Sequence, residues 1–327
     1  MAGSVPLVRV VRSGLEESVH LGHVAVCDAE GRVVVYAGDP HRPVFARSAM
    51  KPLQAAVSLR AIGGELPDDQ VAVMCASHNG EPVHVRTVRR LLRTAGLGES
   101  ALRNPPGWPL DPQSMAKAER PRRVLHNCSG KHAGMVAACA RAGWDRDAYP
   151  EPGHRLQRRV LRAVLRGTAL PEVHVGVDGC GVPVHGMPLR ALAMLYARLA
   201  RPDRFGGLAG AVARSTAAMR AQPYLVGGRG RTDTAVMQAS DDVLVKSGAE
   251  GLSCAAVLES ALGVAVKVAD GGERASGPAL IHALAALGAL SEAQVAGLDR
   301  FARRPVTGGG RRVGDVVADF RLRRPRD

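Results

Sequence analysis

Serine hydroxyls beside lysine amines are the first groups in this sequence that could do chemistry. Ser48 lies three residues before Lys51, about one helical turn, so the hydroxyl and the amine can share one face of a helix. A serine hydroxyl is a weak nucleophile that needs a nearby base. A lysine can be that base because, unlike arginine, it can lose its proton. The segment indicates nucleophilic catalysis, with a capping serine and a solvated lysine as the alternative.

Two further segments carry related groups. Residues 75–81 bring a hydroxyl, an imidazole and an amide directly after an apolar stretch, on Ser77, His78 and Asn79. A polar turn that caps the next helix would show the same pattern. Residues 246–251 place a lysine at the end of an apolar run and beside glycines, where the backbone is open. An ordinary strand exit with a surface lysine is the alternative there.

The order of these segments is more specific than any one of them. Ser-x-x-Lys, then Ser-x-Asn, then Lys-Ser-Gly is the motif order of serine β-lactamases and penicillin-binding enzymes, which form a serine acyl-enzyme. The spacing departs from that group, because Ser77 lies only 26 positions after Lys51. A related architecture in a different family is therefore expected.

Two cysteines in glycine-rich turns suggest a metal. Cys128 and Cys180 lie 52 positions apart, and a pair of thiolates can bind a soft or borderline metal such as zinc. His132 is a plausible further ligand on the same stretch. Two buried thiols without a metal are the alternative.

Together the segments resemble the zinc-containing, thermolabile bacterial L-asparaginases, class 3 of the L-asparaginase II family. The resembling segments are residues 47–52, 77–81, 127–132, 178–181 and 246–251, with support from residues 230–234 and 270–272. They occur in the family's order. The resemblance implies an α/β fold of serine β-lactamase type, with a mixed, mainly antiparallel sheet and helices on both sides, and a homodimer.

The resemblance also implies the residues of the site. The catalytic residues it implies are two pairs, Ser48 with Lys51 and Ser77 with Lys246. The ligands it implies for one Zn²⁺ per chain are Cys128, Lys131 and Cys180. The substrate-contacting residues are Arg47, His78, Asn79, Asp178 and Gly248. A lysine is an unusual zinc ligand because its amine binds only when neutral, which the metal itself favours.

The resulting hypothesis is an enzyme that hydrolyses the side-chain amide of L-asparagine. Ser48 attacks the amide carbon while Lys51 takes its proton, Ser77 and Lys246 protonate the leaving ammonia, and water then cleaves the ester. A glutaminase or a β-lactamase-type hydrolase with the same residues is the nearest alternative. A basic binding protein with a structural zinc is the non-enzyme alternative, and it leaves the three lysine placements unexplained.

Composition restricts the other function classes. The formal charge is +14, from 39 arginines, 5 lysines and 30 acidic residues, but the basic residues are spread along the chain. Aromatic residues make up 3%, which leaves few stacking platforms for nucleic acid. We expect no nucleic-acid partner and no membrane span. Six cysteines without regular spacing and no apolar leader favour the reducing cytoplasm over a disulfide framework.

The apolar pattern predicts strands at both ends of the chain and helices between them. The predicted strands are 8–11, 20–27, 33–36, 173–177, 243–246, 253–258 and 264–268. The predicted helices are 50–62, 82–94, 131–141, 154–166, 189–200, 208–219, 279–287 and 292–301. The type of residues 71–76 stays open between strand and helix. A sheet that joins both ends would make residues 1–327 one catalytic α/β domain.

Overall fold

The computed structural model describes residues 3–325. Its strands are β1 (Val5–Arg12), β2 (Leu15–Cys27), β3 (Val33–Ala37), β4 (Pro43–Phe45), β5 (His174–Val177), β6 (Pro183–Pro188), β7 (Val243–Gly248), β8 (Leu252–Val257), β9 (Leu262–Val268), β10 (Arg303–Gly308) and β11 (Arg311–Ala318). Its α-helices are α1 (Lys51–Ile62), α2 (Asp68–Met74), α3 (Pro82–Thr94), α4 (Pro112–Ala116), α5 (Ser129–Ala142), α6 (Arg155–Thr168), α7 (Leu189–Leu199), α8 (Ala209–Ala221), α9 (Pro223–Val226), α10 (Thr232–Ala239), α11 (Glu273–Ala286), α12 (Glu292–Gly297) and α13 (Asp299–Ala302). Short 3-10 turns cover Arg47–Met50, Glu99–Ala101, Arg123–Leu125 and Pro202–Leu208.

The chain forms two compact units that alternate along the sequence. The first unit contains residues 3–49, 186–201 and 235–325, and the second contains residues 50–185 and 202–234. Among the described residues, no helix combines the length and the hydrophobicity needed to cross a membrane. The single catalytic domain stays a prediction.

The first unit is built on an antiparallel sheet in the order β10-β11-β1-β2-β9-β8-β7, with β3 also paired to β2. Its pairing of β1 with β11 joins the two ends of the chain, with Val8 opposite Ala318. This confirms the predicted α/β class with an antiparallel sheet, in which β3 also pairs antiparallel with β2. Strand β8 lies next to the edge strand β7, yet every one of its residues is buried.

Helices α7 and α11 both pack on β8 and β9. Side chains alternate between the two faces of a strand, so burial of the whole of β8 means that neither face of this strand is open to solvent. The approach of α7 to β9 is close at Gly263, where a Cβ would lie 1.9 Å from the carbonyl oxygen of Ala193. Only glycine fits at that position.

The second unit is helical, and α1 is its centre. Ten of the twelve residues of α1 are buried, because α5, α6 and α8 all pack against it. Pro52 in the first turn favours the start of α1, and Gly63 ends it in the left-handed conformation at φ 61°. Alanine-rich surfaces let these helices approach closely. At Gly130 of α5, a Cβ would lie 2.0 Å from the carbonyl oxygen of Val73 in α2.

The structure settles one element that the sequence left open and differs from the prediction at others, among them the short elements β4, β6, α4, α9 and α10, which the apolar pattern does not predict. The ambiguous residues 71–76 belong mainly to helix α2 rather than to a strand. The helix predicted over 292–301 is two short helices, α12 and α13, separated at Leu298. The apolar pattern does not predict the hairpin of β10 and β11, because arginine, glycine and proline interrupt its valines and leave no clear apolar alternation.

Candidate active site

A buried lysine–serine contact lies at the start of helix α1. Lys51 is fully buried, and its Nζ donates hydrogen bonds to Ser77 Oγ at 2.9 Å and to the Ala76 carbonyl oxygen at 2.6 Å. The segment that follows α2 presents Ser77, whose backbone N–H donates to the Val226 carbonyl oxygen. The sequence resemblance pairs Lys51 with Ser48, so the contact with Ser77 is an addition to that scheme.

Two other predicted residues of this segment are fixed by the framework around it. Burial, followed by the charges of His84 and Lys51, lowers the pKa of His78 well below its usual value, so this imidazole is neutral. Its Nδ1 accepts the Gly80 N–H, which leaves Nε2 to donate to Ser129 Oγ at 3.0 Å. His78 is therefore oriented from both ring nitrogens.

Asn79 joins the same segment to the loop after α9. Its backbone N–H donates to the Gly227 carbonyl oxygen, and its Nδ2 donates to the Arg229 carbonyl oxygen, both at 2.9 Å. These bonds, with the one from Ser77, hold residues 77–79 against residues 226–229. The backbone beside the serine is fixed by this loop.

Glu81 is the residue that sequence reasoning missed. It is buried, and its two carboxylate oxygens accept the Arg229 backbone N–H at 2.9 Å and the Tyr224 hydroxyl at 2.5 Å. Gly228 lies directly beside it at φ 112°, and a Cβ there would be 2.4 Å from Glu81 Oε1. The sequence does show a carboxylate inside the motif of residues 75–81. Its role is not apparent there, because its hydrogen-bond partners lie more than 140 positions away along the chain.

A cavity of about 740 Å³ opens along this segment. Gly80, Glu81, Asp111 and Arg229 are among the residues that line it. Its volume is within the range of small-molecule pockets. The cavity lies within the second unit and carries charged groups of both signs.

The predicted metal ligands form a cluster of two sulfurs and an amine. Lys131 Nζ lies 2.9 Å from Cys180 Sγ, and Asp178 Oδ2 lies 3.7 Å from the same sulfur. A hydrogen bond from Cys180, then the charges of Lys51 and Lys131, hold the pKa of the Cys128 thiol well below its usual range. Burial alone would lower the pKa of Lys131, but the charges of Cys180, Cys128 and Asp178 outweigh it and raise that pKa.

The donor set fits zinc in its chemistry. Two sulfurs and one nitrogen that lie near each other are ligands that zinc accepts once they are deprotonated. Within residues 3–325, no group of three or more His, Cys, Asp and Glu side chains could hold a metal, so a metal here needs the Lys131 amine. His132 is buried beside Cys180 of this cluster, and its Nδ1 contacts the Tyr149 hydroxyl at 2.6 Å.

The first unit holds the other predicted residues. Ser48 is half-buried in the 3-10 turn Arg47–Met50, and Arg47 has a left-handed backbone at φ 43°. Strained backbone of this kind costs about 1–3 kcal/mol and is concentrated at functional sites. Lys246 is fully buried and donates to the Ser247 carbonyl oxygen at 2.8 Å. The end of β7 meets the strained turn, since a Cβ on Gly248 would lie 3.2 Å from Arg47 Cβ.

The buried Lys51 therefore contacts a serine hydroxyl in a chain segment that a dense hydrogen-bond network holds in place. The family model described as L-asparaginase II matches residues 8–318, and the chain belongs to this family of amidohydrolases. The predicted resemblance is thereby confirmed at the level of L-asparaginase II. No curated protein matches the sequence.

The solved structures to which this chain is similar include two kinds of enzyme, both at low sequence identity. A β-lactamase from Mycobacterium bovis is 17% identical, with 81% of this chain and 94% of that chain covered and a TM-score of 0.44. A probable glutaminase from Bacillus subtilis, complexed with 6-diazo-5-oxo-L-norleucine, is 13% identical, with 81% of this chain and 83% of that chain covered and a TM-score of 0.37.

Proposed function

We propose that this protein is an L-asparagine amidohydrolase that works through a serine acyl-enzyme and a lysine base. The observation that carries the proposal is the buried Lys51, whose amine touches a serine hydroxyl at 2.9 Å. Within the described part of the chain, no carboxylate forms an ion pair with this amine. A lysine held against a hydroxyl and a carbonyl oxygen is positioned for proton transfer.

The proposed reaction has two halves. Ser48, one turn before Lys51 in the chain, attacks the side-chain amide carbon of asparagine, and Lys51 takes the hydroxyl proton. A bond forms between Ser48 Oγ and the acyl carbon, and the carbon–nitrogen bond breaks. The proton leaves through Ser77, with Lys246 as its partner, to the departing ammonia. Water then attacks the aspartyl ester, and the same groups return the proton to Ser48.

The remaining proposed roles concern substrate and metal. Arg47 offers a guanidinium fork to the substrate carboxylate, and the other contacts are proposed at His78, Asn79, Asp178 and Gly248. Cys128, Lys131 and Cys180 would hold the zinc ion, which would supply a fixed positive charge that orients substrate near Asp178. The homodimer and the cytoplasmic location stay predictions, and light scattering of the purified chain would test the first.

The test is ammonia release from asparagine and from glutamine, with hydrolysis of a chromogenic β-lactam as a third arm. We expect asparagine to be the best substrate. Lys51→Met should lower kcat by about 10²–10⁴-fold, the usual contribution of a positioned acid–base group. Lys51→Arg should be equally impaired because arginine keeps its proton.

The matched control is Lys117→Met, because Lys117 is exposed and should turn over normally. Full turnover by Lys51→Met would remove the lysine base from the proposal. Full turnover by Ser48→Ala would exclude Ser48 as the nucleophile and assign that role to Ser77. In that case Ser77→Ala should be inactive. Faster release from glutamine than from asparagine would replace the proposed substrate.

A further inference from the structure

His126 is a half-buried histidine of the second unit that has no role in the reaction described above. It lies between the 3-10 turn Arg123–Leu125 and helix α5. The backbone N–H of Cys128 donates to its Nδ1 at 3.0 Å. A backbone N–H can only donate, so Nδ1 is an acceptor without a proton, and the ring is neutral with its proton on Nε2. The Nε2–H group of His126 is therefore a hydrogen-bond donor.

Two other histidines share this local bond but differ in what the rest of the ring does. In His78 and His154, too, Nδ1 accepts the backbone N–H of the residue two positions on. The Nε2–H of His78 donates to Ser129 Oγ, so that ring is fully used by the framework. The His154 ring caps helix α6 and packs edge-on against Trp144. Among the residues that the structure describes, Nε2 of His126 has no hydrogen-bond partner, so its donor is free for a ligand.

The groups around His126 are those of the proposed site. Burial lowers the pKa of this imidazole, and the charge of Lys51 lowers it further. The charges of Cys180, Lys131 and Asp178 also act on the ring. Its Nδ1 is bonded to the backbone of a residue that is itself part of the sulfur and amine cluster. The free donor therefore lies beside both the proposed base and the proposed metal ligands.

The imidazole is also held in one orientation. Gly107 packs against it, because a Cβ on this glycine would lie 2.9 Å from His126 Cδ2. Gly107 is in turn tied to Arg122 by two backbone hydrogen bonds of 3.1 Å. The bond from Cys128 therefore fixes the ring at Nδ1, and the glycine backbone limits it at the carbon bonded to Nε2. A donor that is already oriented loses little side-chain entropy when it binds.

The proposed substrate restricts what this donor can bind, and the assignment of its acceptor rests on the proposed function. The α-ammonium group of asparagine only donates hydrogen bonds, and its α-carboxylate is assigned to Arg47. The oxygen of the side-chain amide has no assigned donor. That oxygen gains negative charge when the serine attacks, and a preorganised N–H group stabilises such a charge strongly.

We propose that His126 donates from Nε2–H to the oxygen of the scissile amide and stabilises the oxyanion that forms there. As Ser48 Oγ forms its bond to the amide carbon, an electron pair of the carbonyl double bond moves to this oxygen. It returns when the carbon–nitrogen bond breaks, and the N–H bond of His126 stays intact throughout. The same proton separates His126 from the zinc ligands, because a protonated Nε2 has no free electron pair for a metal.

The experiment uses two substitutions that separate the two nitrogens of the ring. His126→Asn places its amide oxygen near the position of Nδ1, where it can accept the Cys128 N–H, but it has no donor at the position of Nε2. His126→Gln reaches the position of Nε2 with an N–H donor instead. We expect kcat for asparagine to fall by about 10²–10³-fold in His126→Asn, the usual effect of removing one oxyanion donor, with little change in KM. His126→Gln should retain much more of the wild-type kcat.

His154→Asn is the matched control, because His154 makes the same backbone bond at the start of helix α6. It should turn over at the wild-type rate. If His126 served only to hold Cys128, the order of the two variants would be reversed. His126→Gln would then be the more impaired one, and it would lose zinc in elemental analysis of protein purified with the metal.

The outcomes separate this role from the proposed function. Wild-type kcat in His126→Asn, a raised KM with unchanged kcat, or an equal loss in His154→Asn would each overturn the role of His126 while the wild-type chain still releases ammonia. Higher activity in His126→Asn than in His126→Gln would overturn it as well. A wild-type chain that releases no ammonia from asparagine or glutamine would overturn the proposed function, and this role with it.

Discussion

Replacing Glu81 by glutamine tests whether the loop of residues 226–229 holds the catalytic segment in position. The carboxylate accepts the Arg229 N–H and the Tyr224 hydroxyl and is 4% exposed. A glutamine has nearly the same shape, but it has no charge and has one oxygen acceptor instead of two. Losing a hydrogen bond to a charged group costs about 1.5–3 kcal/mol, so we expect about 2 kcal/mol less stability for Glu81→Gln.

The expected effect on turnover follows from the same contacts. In the segment that Glu81 holds, the carbonyl oxygens of Val226 and Gly227 accept hydrogen bonds from the backbone N–H groups of Ser77 and Asn79. A shift of about 1 Å in a catalytic group can lower the rate by about 10²-fold. We therefore expect kcat for asparagine to fall by about 10–10²-fold, with a smaller change in KM. Urea unfolding followed by circular dichroism would measure stability, and ammonia release would measure turnover.

Glu119→Gln is the matched control. Glu119 lines the same cavity but is exposed, so this variant removes the same charge near the cavity without breaking the buried network. We expect wild-type stability and at most a small change in turnover. If Glu81→Gln and Glu119→Gln behave alike, the contacts of Glu81 with Tyr224 and Arg229 have no positioning role, and the cavity's overall charge explains any loss.

Three further outcomes are expected. Gly130→Ala should destabilise the second unit by more than about 2 kcal/mol in urea unfolding, because a Cβ would lie 2.0 Å from the backbone oxygen of Val73. Burial lowers the pKa of His185 from 6.5 to about 4. The unfolded chain therefore takes up this proton first, and stability should fall by about 3 kcal/mol as the pH falls between these values, whereas His185→Leu should flatten that part of the profile. Cys128→Ala should lose zinc in elemental analysis of protein purified with the metal, and stoichiometric zinc in this variant would exclude Cys128 as a ligand.

Most elements with a strong apolar period could be predicted from the sequence. Helix α3 has the predicted bounds, and helix α1 differs from its prediction by one residue. The hairpin of β10 and β11 could not be predicted in this way. Its strands lie at the edge of the sheet, where backbone pairing of β11 with β1 and of β10 with β11 stabilises residues that are mostly exposed in β10 and half-buried in β11. Tertiary pairing, rather than local pattern, determines such strands.

The site shows the same division between local and distant information. The sequence identified Ser77, Lys51 and the two thiols by type, because each lies in a short motif. It did not predict that Lys51 contacts Ser77, since that contact depends on how α1 packs beside the end of α2. Nor did it show that Glu81 binds Tyr224 and Arg229, because these partners lie in the short helix α9 and in the loop after it, more than 140 positions away. Local chemistry is visible in a sequence, but its hydrogen-bond partners are set by packing.

The positions of the lysines give an independent argument for the chemistry. The chain has 39 arginines and only 5 lysines, so arginine is its usual solvated cation. Three lysines lie in the serine and cysteine motifs, and the structure buries all of them: Lys51 and Lys246 are 0% exposed and Lys131 is 3% exposed. Lys117 is exposed and Lys267 is half-buried. If these buried positions needed only a permanent positive charge, arginine would serve there, because it keeps its proton. The retention of lysine at the three buried motif positions favours a need for an amine that can give up its proton.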